Sequence, residues 1–174
     1  MNNESADILR ILNSGFGDLA NNQIDLYPDE HAAEIDALNK RLYENVNNGV
    51  YKAGFASSQL AYEEAVEQLF DEMRSIDELL SDGREFLFGN NLTETDIRLF
   101  VTMVRFDAAY FGLFKCNLAP LSFFKNLHAH TKRMFAIEAI RKTVNMEHIK
   151  QGYYSVKALN PSGIVPIAPR QEFG

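Results

Sequence analysis

The nine residues Gly89-Asn90-Asn91-Leu92-Thr93-Glu94-Thr95-Asp96-Ile97 constrain this chain more tightly than any other stretch. Thr93 is placed to cap a helix: its hydroxyl can accept from the Asp96 amide while the Asp96 carboxylate reaches back to the Thr93 amide. Leu92 before the cap and Ile97 in the first turn add a hydrophobic staple, which fixes the angle at which the chain enters the helix. The residues that follow are apolar around most of a helical circumference. Ile97, Val101, Val104, Ala108 and Phe111 form one stripe, and Leu99, Met103, Phe106 and Tyr110 form another; Arg98, Thr102 and Arg105 give a polar edge. Such a helix belongs in a core with other helices packed around it. An all-α bundle is therefore expected.

The rest of the chain supplies those neighbours. Ile8, Leu9, Ile11 and Leu12 predict a short amphipathic helix opening near Asn3 or Ser5 and closing before Gly15. Residues 14–28 read as a polar connection. Ile35, Leu38, Leu42 and Val46 predict a helix that Asn47-Asn48-Gly49 ends, with Val50 to Ala56 as a break. From Ser57 or Ser58 a longer helix runs with Tyr62, Val66, Leu69, Met73, Ile76 and Leu80 at bundle-seam spacing. Its acids, Glu63, Glu64, Glu67, Asp71, Glu72, Asp77 and Glu78, read as a solvated face. Leu121, Phe124, Leu127, Thr131 and Phe135 are inward positions of another helix over 121–135. A shorter helix follows over 136–144, and one further turn over 146–150, which Gly152-Tyr153-Tyr154 leaves. Three prolines between 160 and 169 exclude a helix there and suggest an extended strap or a loose end.

Composition excludes several function classes. The single cysteine, Cys116, rules out an internal disulfide framework and a CxxC metal or redox site, and no metal site is expected. No apolar run approaches a membrane span and no signal peptide is visible, so a cytoplasmic protein with no membrane partner is expected. Net charge is −7, but residues 97–174 carry 11 bases against 4 acids. Those bases are scattered without interleaved stacking aromatics, which argues against nucleic acid. The asymmetry suits a cleft that attracts small anions.

Gly-x-x-x-Thr-x-x-Asp at the head of a buried helix resembles the folding motif of the C-terminal helical domain of cytosolic glutathione transferases. Asn47-Asn48-Gly49-Val50-Tyr51-Lys52-Ala53-Gly54-Phe55-Ala56 is similar to a signature of one class, the glutathionyl-hydroquinone reductases (Xi class, omega-like). So are Arg105-Phe106-Asp107 with Phe114-Lys115-Cys116-Asn117, the His148-Ile149-Lys150 turn with Tyr153-Tyr154, and Asn160-Pro161-Ser162-Gly163-Ile164-Val165-Pro166. Asn3-Glu4-Ser5-Ala6-Asp7-Ile8 looks like the segment that holds the γ-glutamyl end of glutathione, at the start of the last helix of the thioredoxin-like domain. Helix amides and a serine hydroxyl suit a carboxylate there, and a glutamate suits an ammonium group.

The resemblance implies residues 1–20 as the remnant of a thioredoxin-like glutathione-binding domain and 21–174 as a transferase C-terminal-like helical domain with an extended tail. It implies glutathione as co-substrate, a glutathionylated quinol as substrate and a homodimer. Glu4 and Ser5 would bind glutathione; Tyr51 and Tyr154 would assist catalysis; Tyr51, Tyr153 and Tyr154 would line the substrate pocket. The family's nucleophilic cysteine lies in a Cys-Pro-Trp-Ala type motif that these residues do not contain, so whether this chain is itself an enzyme stays open. Cys116 is expected to be a buried structural thiol. Asp107 is expected to pair with a base inside the fold. Leu113 and Gly152 stand where the family usually has histidines, and 121–135 lacks its usual tryptophans. The alternative is a non-catalytic helical domain used for dimerisation or protein association.

Overall fold

A computed structural model describes residues 4–19 and 24–167, apart from the side chain of Asp18. Among these the architecture is helical, with only two isolated β-bridges, Phe86 to Gly89 and Phe88 to Asn91. The helices are α1 (Ser5–Ser14), α2 (Ala32–Leu42), α3 (Gly49–Gly54), α4 (Gln59–Leu79), α5 (Glu94–Met103), the short α6 (Phe111–Leu113), α7 (Lys125–Ala136), α8 (Glu138–Arg141) and α9 (Met146–Tyr154).

The core is the seam of α4 against its neighbours. Val66, Leu69, Met73, Ile76 and Leu80 are buried, Tyr62 is half-buried, and Phe70 packs edge-on against Phe106 with ring centroids 6.0 Å apart. Leu99, Phe100 and Met103 of α5 join the same core. The capping box forms in both arms, and the Thr93 hydroxyl also donates to the Asp96 carboxylate at 2.8 Å. Asp96 does more than cap. Its carboxylate accepts from the amides of Thr93 and Leu87, both at 2.9 Å, and lies 2.8 Å from His130 Nε2 on α7. One buried carboxylate thus ties the 86–91 turn, the head of α5 and α7 together.

Three expectations change. The chain does not stop at Asn47-Asn48-Gly49. A π-helical turn over Tyr43–Asn47 carries α2 into α3, because Asn47 Nδ2 donates to Arg98 O and Thr102 Oγ1 on α5 instead of to its own backbone. The acidic face of α4 is not uniformly solvated. Glu72 is 6% exposed and accepts from Arg41 and Asn45, while Asp77 Oδ1 accepts the amides of Asn126 and Leu127 at 2.7 and 2.8 Å. Asp77 therefore caps α7 from another helix. Asp107 takes the amide of Leu121 at 3.0 Å, and the charge of nearby His128 favours its ionised form; burial outweighs both and raises its pKa above the ordinary carboxylate value. Finally, Gly152, Tyr153 and Tyr154 do not leave the last helix but complete it.

α1 is held at its middle. Arg10 donates to buried Glu94 at 3.1 and 3.3 Å and to Asp36 at 2.5 Å, with its guanidinium 4.0 Å from the Tyr27 ring centroid. Glu94 also accepts from Asn39 and Arg98. Residues 160–163 make a turn, the Gly163 amide donating to Asn160 O at 3.1 Å, and 164–167 run on without regular structure, with Lys150 Nζ donating to the carbonyls of Pro166 and Ile167. Ile164 and Ile167 nevertheless remain exposed, so the strap is fixed by polar contacts more than by burial.

Candidate functional site

One side of α5 faces open space. Ile97, Phe100, Val101 and Val104 line a cavity of about 830 Å³, closed opposite by Ile140 of α8 with Val144 and by His148, Ile149, Gly152 and Tyr153 of α9. Tyr51 of α3, Phe55, Phe114 and Arg105 complete the wall near its polar end. This corrects the reading of α5 as a helix buried all round: its Ile97-Val101-Val104 stripe is cavity wall, and Val101 is 43% exposed. The volume suits a small-molecule ligand. An added Cβ at Gly152 would meet no atom within 4 Å, so this glycine leaves that part of the wall recessed.

Three tyrosine hydroxyls meet at the cavity's edge. Tyr153 Oη lies 2.8 Å from Tyr51 Oη and 2.6 Å from Tyr110 Oη. Phe114 is the common packing partner: its ring centroid is 5.4 Å from Tyr51, 5.3 Å from Tyr110 and 5.8 Å from Tyr153. An added Cβ at Gly54 would sit 2.5 Å from Phe114 Cγ, so the small residue lets α3 approach this aromatic group. Burial pushes the Tyr153 hydroxyl up to about 12, opposed by the Tyr110 hydrogen bond and the Arg105 charge. Tyr110, 2% exposed, is raised further by burial and by its bond to Tyr153. Both hydroxyls therefore stay protonated near neutral pH, each a weaker acid than a free tyrosine.

The structure brings Tyr51 and Tyr153 together and places both on the cavity. Tyr154 is not on that wall. It packs toward α6, where a Cβ added at Gly112 would lie 3.1 Å from its Oη. Tyr110 is the residue that sequence reasoning passed over. It sat in an apolar stripe as core, and only its contact across 43 residues of sequence reveals the hydroxyl's role. Glu4 occupies the N-cap position of α1 and Ser5 its first turn; both are exposed and neither lines the cavity. Cys116 is fully buried, with its thiol pushed up to about 12 by burial, as befits a structural thiol and not a nucleophile. Among the described residues no cluster of His, Cys, Asp and Glu could hold a metal ion, and no helix is long and apolar enough to cross a membrane.

Residues 59–133 match the family model for the glutathione S-transferase C-terminal domain. The chain is 50% identical over 172 residues to glutathionyl-hydroquinone reductase PcpF of Sphingobium chlorophenolicum, covering 98% of this chain and 55% of the relative. It is 44% identical over 173 residues to glutathionyl-hydroquinone reductase YqjG of Escherichia coli, covering 99% and 52%. This chain is a homologue of the Xi-class glutathione transferases. The solved, glutathione-bound structure of the E. coli protein superposes with a TM-score of 0.95 at 43% identity, over 99% of this chain and 56% of that one. The Xi transferase of Phanerochaete chrysosporium gives 0.93 at 46% identity, over 97% and 55%. The chain thus spans about half the length of these Xi-class relatives, and its all-helical fold is that of the transferase C-terminal domain.

Proposed function

We propose that these residues form the helical, substrate-binding part of a glutathionyl-hydroquinone reductase, in which the tyrosine group protonates the departing quinol. The observation that carries the reading is the Tyr51–Tyr153–Tyr110 hydroxyl row at the edge of an apolar cavity sized for an aromatic ring. In such a reaction an enzyme thiolate attacks the glutathione sulfur of the aryl thioether. A sulfur–sulfur bond forms, and the carbon–sulfur bond breaks with its electron pair going to the ring carbon. That carbon takes a proton from a tyrosine hydroxyl, giving the free hydroquinone. A second glutathione thiolate then attacks the mixed disulfide, releasing oxidised glutathione and the enzyme thiolate. The sulfurs of the two glutathione molecules, one starting as the thioether and one as a thiol, each lose one of the two electrons that the ring carbon gains.

Cys116 does not supply the thiolate, so the reading assigns it to the portion of such enzymes that these 174 residues do not span. Tyr51 and Tyr153 act on the ring, with Tyr110 holding Tyr153. Tyr154, facing α6, serves by packing beside them. Glu4 and Ser5 at the start of α1 serve the γ-glutamyl end of glutathione, and the Arg10–Glu94 contact fixes that helix against the body. Residues 1–20 are on this view the edge of the glutathione-binding domain, and the assembled enzyme is a homodimer.

The test joins this chain to the preceding half of the E. coli relative and measures release of menadiol from glutathionyl-menadione. Turnover is expected, reduced about 100-fold or more when Tyr153 is changed to Phe. A folded fusion that binds glutathione yet shows no turnover sinks the reading and leaves an association module.

A further inference from the structure

The cavity has an unusual charge inventory. Among the described residues that line it none is an Asp or Glu, and the basic side chains are Arg105 and His148. Arg105 follows α5, where its Nη1 donates to the carbonyl of Val101 one turn earlier. Its remaining N–H groups, and both ring nitrogens of His148, have no partner among the described residues. The guanidinium is also close enough to Tyr153 for its charge to favour the ionised hydroxyl. The same lining is largely apolar, with Val101, Val104, Ile140 and Val144, and with Thr143 and Asn145 as neutral polar members.

Arg105 is half-buried, and a cation beside apolar side chains, with no carboxylate among the described residues of that wall, attracts an anion. A guanidinium adds geometry, presenting a planar fork that matches a carboxylate. A neutral aromatic ligand fills the same space but leaves those donors without a partner, whereas an aromatic carboxylate satisfies them and buries its ring against the hydrocarbon wall.

We propose that Arg105 makes this cavity selective for aromatic ligands that carry an anionic substituent, a carboxylate above all, over their neutral isosteres. The proposal rests on reading the cavity as the substrate site and narrows the substrate class: quinols bearing an acidic group are preferred to unsubstituted ones. Arg105 is here a specificity residue that contacts the ligand's substituent and takes no part in the proton transfer.

Equilibrium binding tests it without turnover or glutathione, so its failure is separate from failure of the reductase reading. Titration calorimetry with 2-naphthoate and its neutral isostere 2-naphthamide is expected to show roughly tenfold or greater preference for the carboxylate. R105Q is expected to bring the two affinities together while leaving that for the amide within about twofold. R105K is expected to keep part of the preference, since it retains charge and loses the fork. His148→Asn is expected to retain most of it. Circular dichroism and a urea midpoint establish that each variant is folded. Equal affinities in the wild type, no saturable binding of either probe, or an undiminished preference in folded R105Q each overturn the proposal and return Arg105 to capping the end of α5.

Discussion

His130 Nε2 lies 2.8 Å from Asp96 Oδ1, and both side chains are fully buried. The carboxylate already serves the Thr93 and Leu87 amides, so an Nε2–H donated by His130 completes its coordination by donors. The capping box is thereby converted from a local device, worth about 1 kcal/mol, into a junction between three parts of the chain. Asp96→Ala is expected to cost about 3 kcal/mol or more, because it leaves several buried donors without an acceptor. Urea denaturation measures it, and a loss no greater than an exposed cap's would show that the junction carries little.

Asp77 caps α7 across 49 residues of sequence. Asp77→Ala should therefore cost about 1–2 kcal/mol. Ala at Glu63 or Glu67, both exposed on the same helix, should change stability by less than about 0.5 kcal/mol. Equal effects at the three positions in denaturant titrations would remove the distinction between cap and solvated face.

Asp107 gives a pH signature. Its folded pKa is raised, chiefly by burial, so the folded state holds the proton more tightly than the unfolded chain. Wild-type stability from this group is fully present below the unfolded carboxylate value, about 3.9, and is lost as pH rises through the folded one. Asp107→Asn keeps an oxygen acceptor for the Leu121 amide without that cost. The stability of Asp107→Asn relative to wild type should thus increase between pH 4 and pH 7, measured by urea denaturation at both. A relative decrease over the same interval would mean that the ionised carboxylate is stabilised.

The tyrosine row predicts non-additive kinetics. In the fusion with the E. coli half, Tyr51→Phe and Tyr153→Phe should lower kcat and kcat/KM together, with KM for glutathione unchanged. Because Tyr153 is bonded to both neighbours, the double variant should lose less than the product of the singles. Tyr154→Phe, facing α6, should leave kcat nearly intact. Full additivity in rate assays where chemistry is limiting would show two independent roles.

Much of the fold follows from residues three or four apart. The Thr93/Asp96 box, the seam from Val66 to Leu80 and the inward positions Leu127 and Thr131 reappear as buried structure, since a helix's own period decides which side chains share a face; Leu121 and Phe124 are buried too, but from a short turn before α7, which begins at Lys125 and not at 121. The family resemblance was legible for the same reason: it resides in contiguous blocks.

What those blocks leave undetermined is who meets whom across the bundle. Tyr51 and Tyr153 are 102 residues apart, Asp96 and His130 are 34, and no local pattern encodes either meeting. The choice of Tyr153 over its neighbour Tyr154 turns on about 100° of helix rotation, fixed only when α9 packs against the chain around Tyr110. Likewise, the apolar stripe of Ile97, Val101 and Val104 by itself signifies burial. It becomes a cavity wall because α8 and α9 stand off from α5, a spacing set by packing of the whole domain. Sequence by itself determined which surfaces are apolar and where helices begin; tertiary structure decided which of those surfaces are filled by protein and which are left for a ligand, since hydrophobicity has no direction and close packing does.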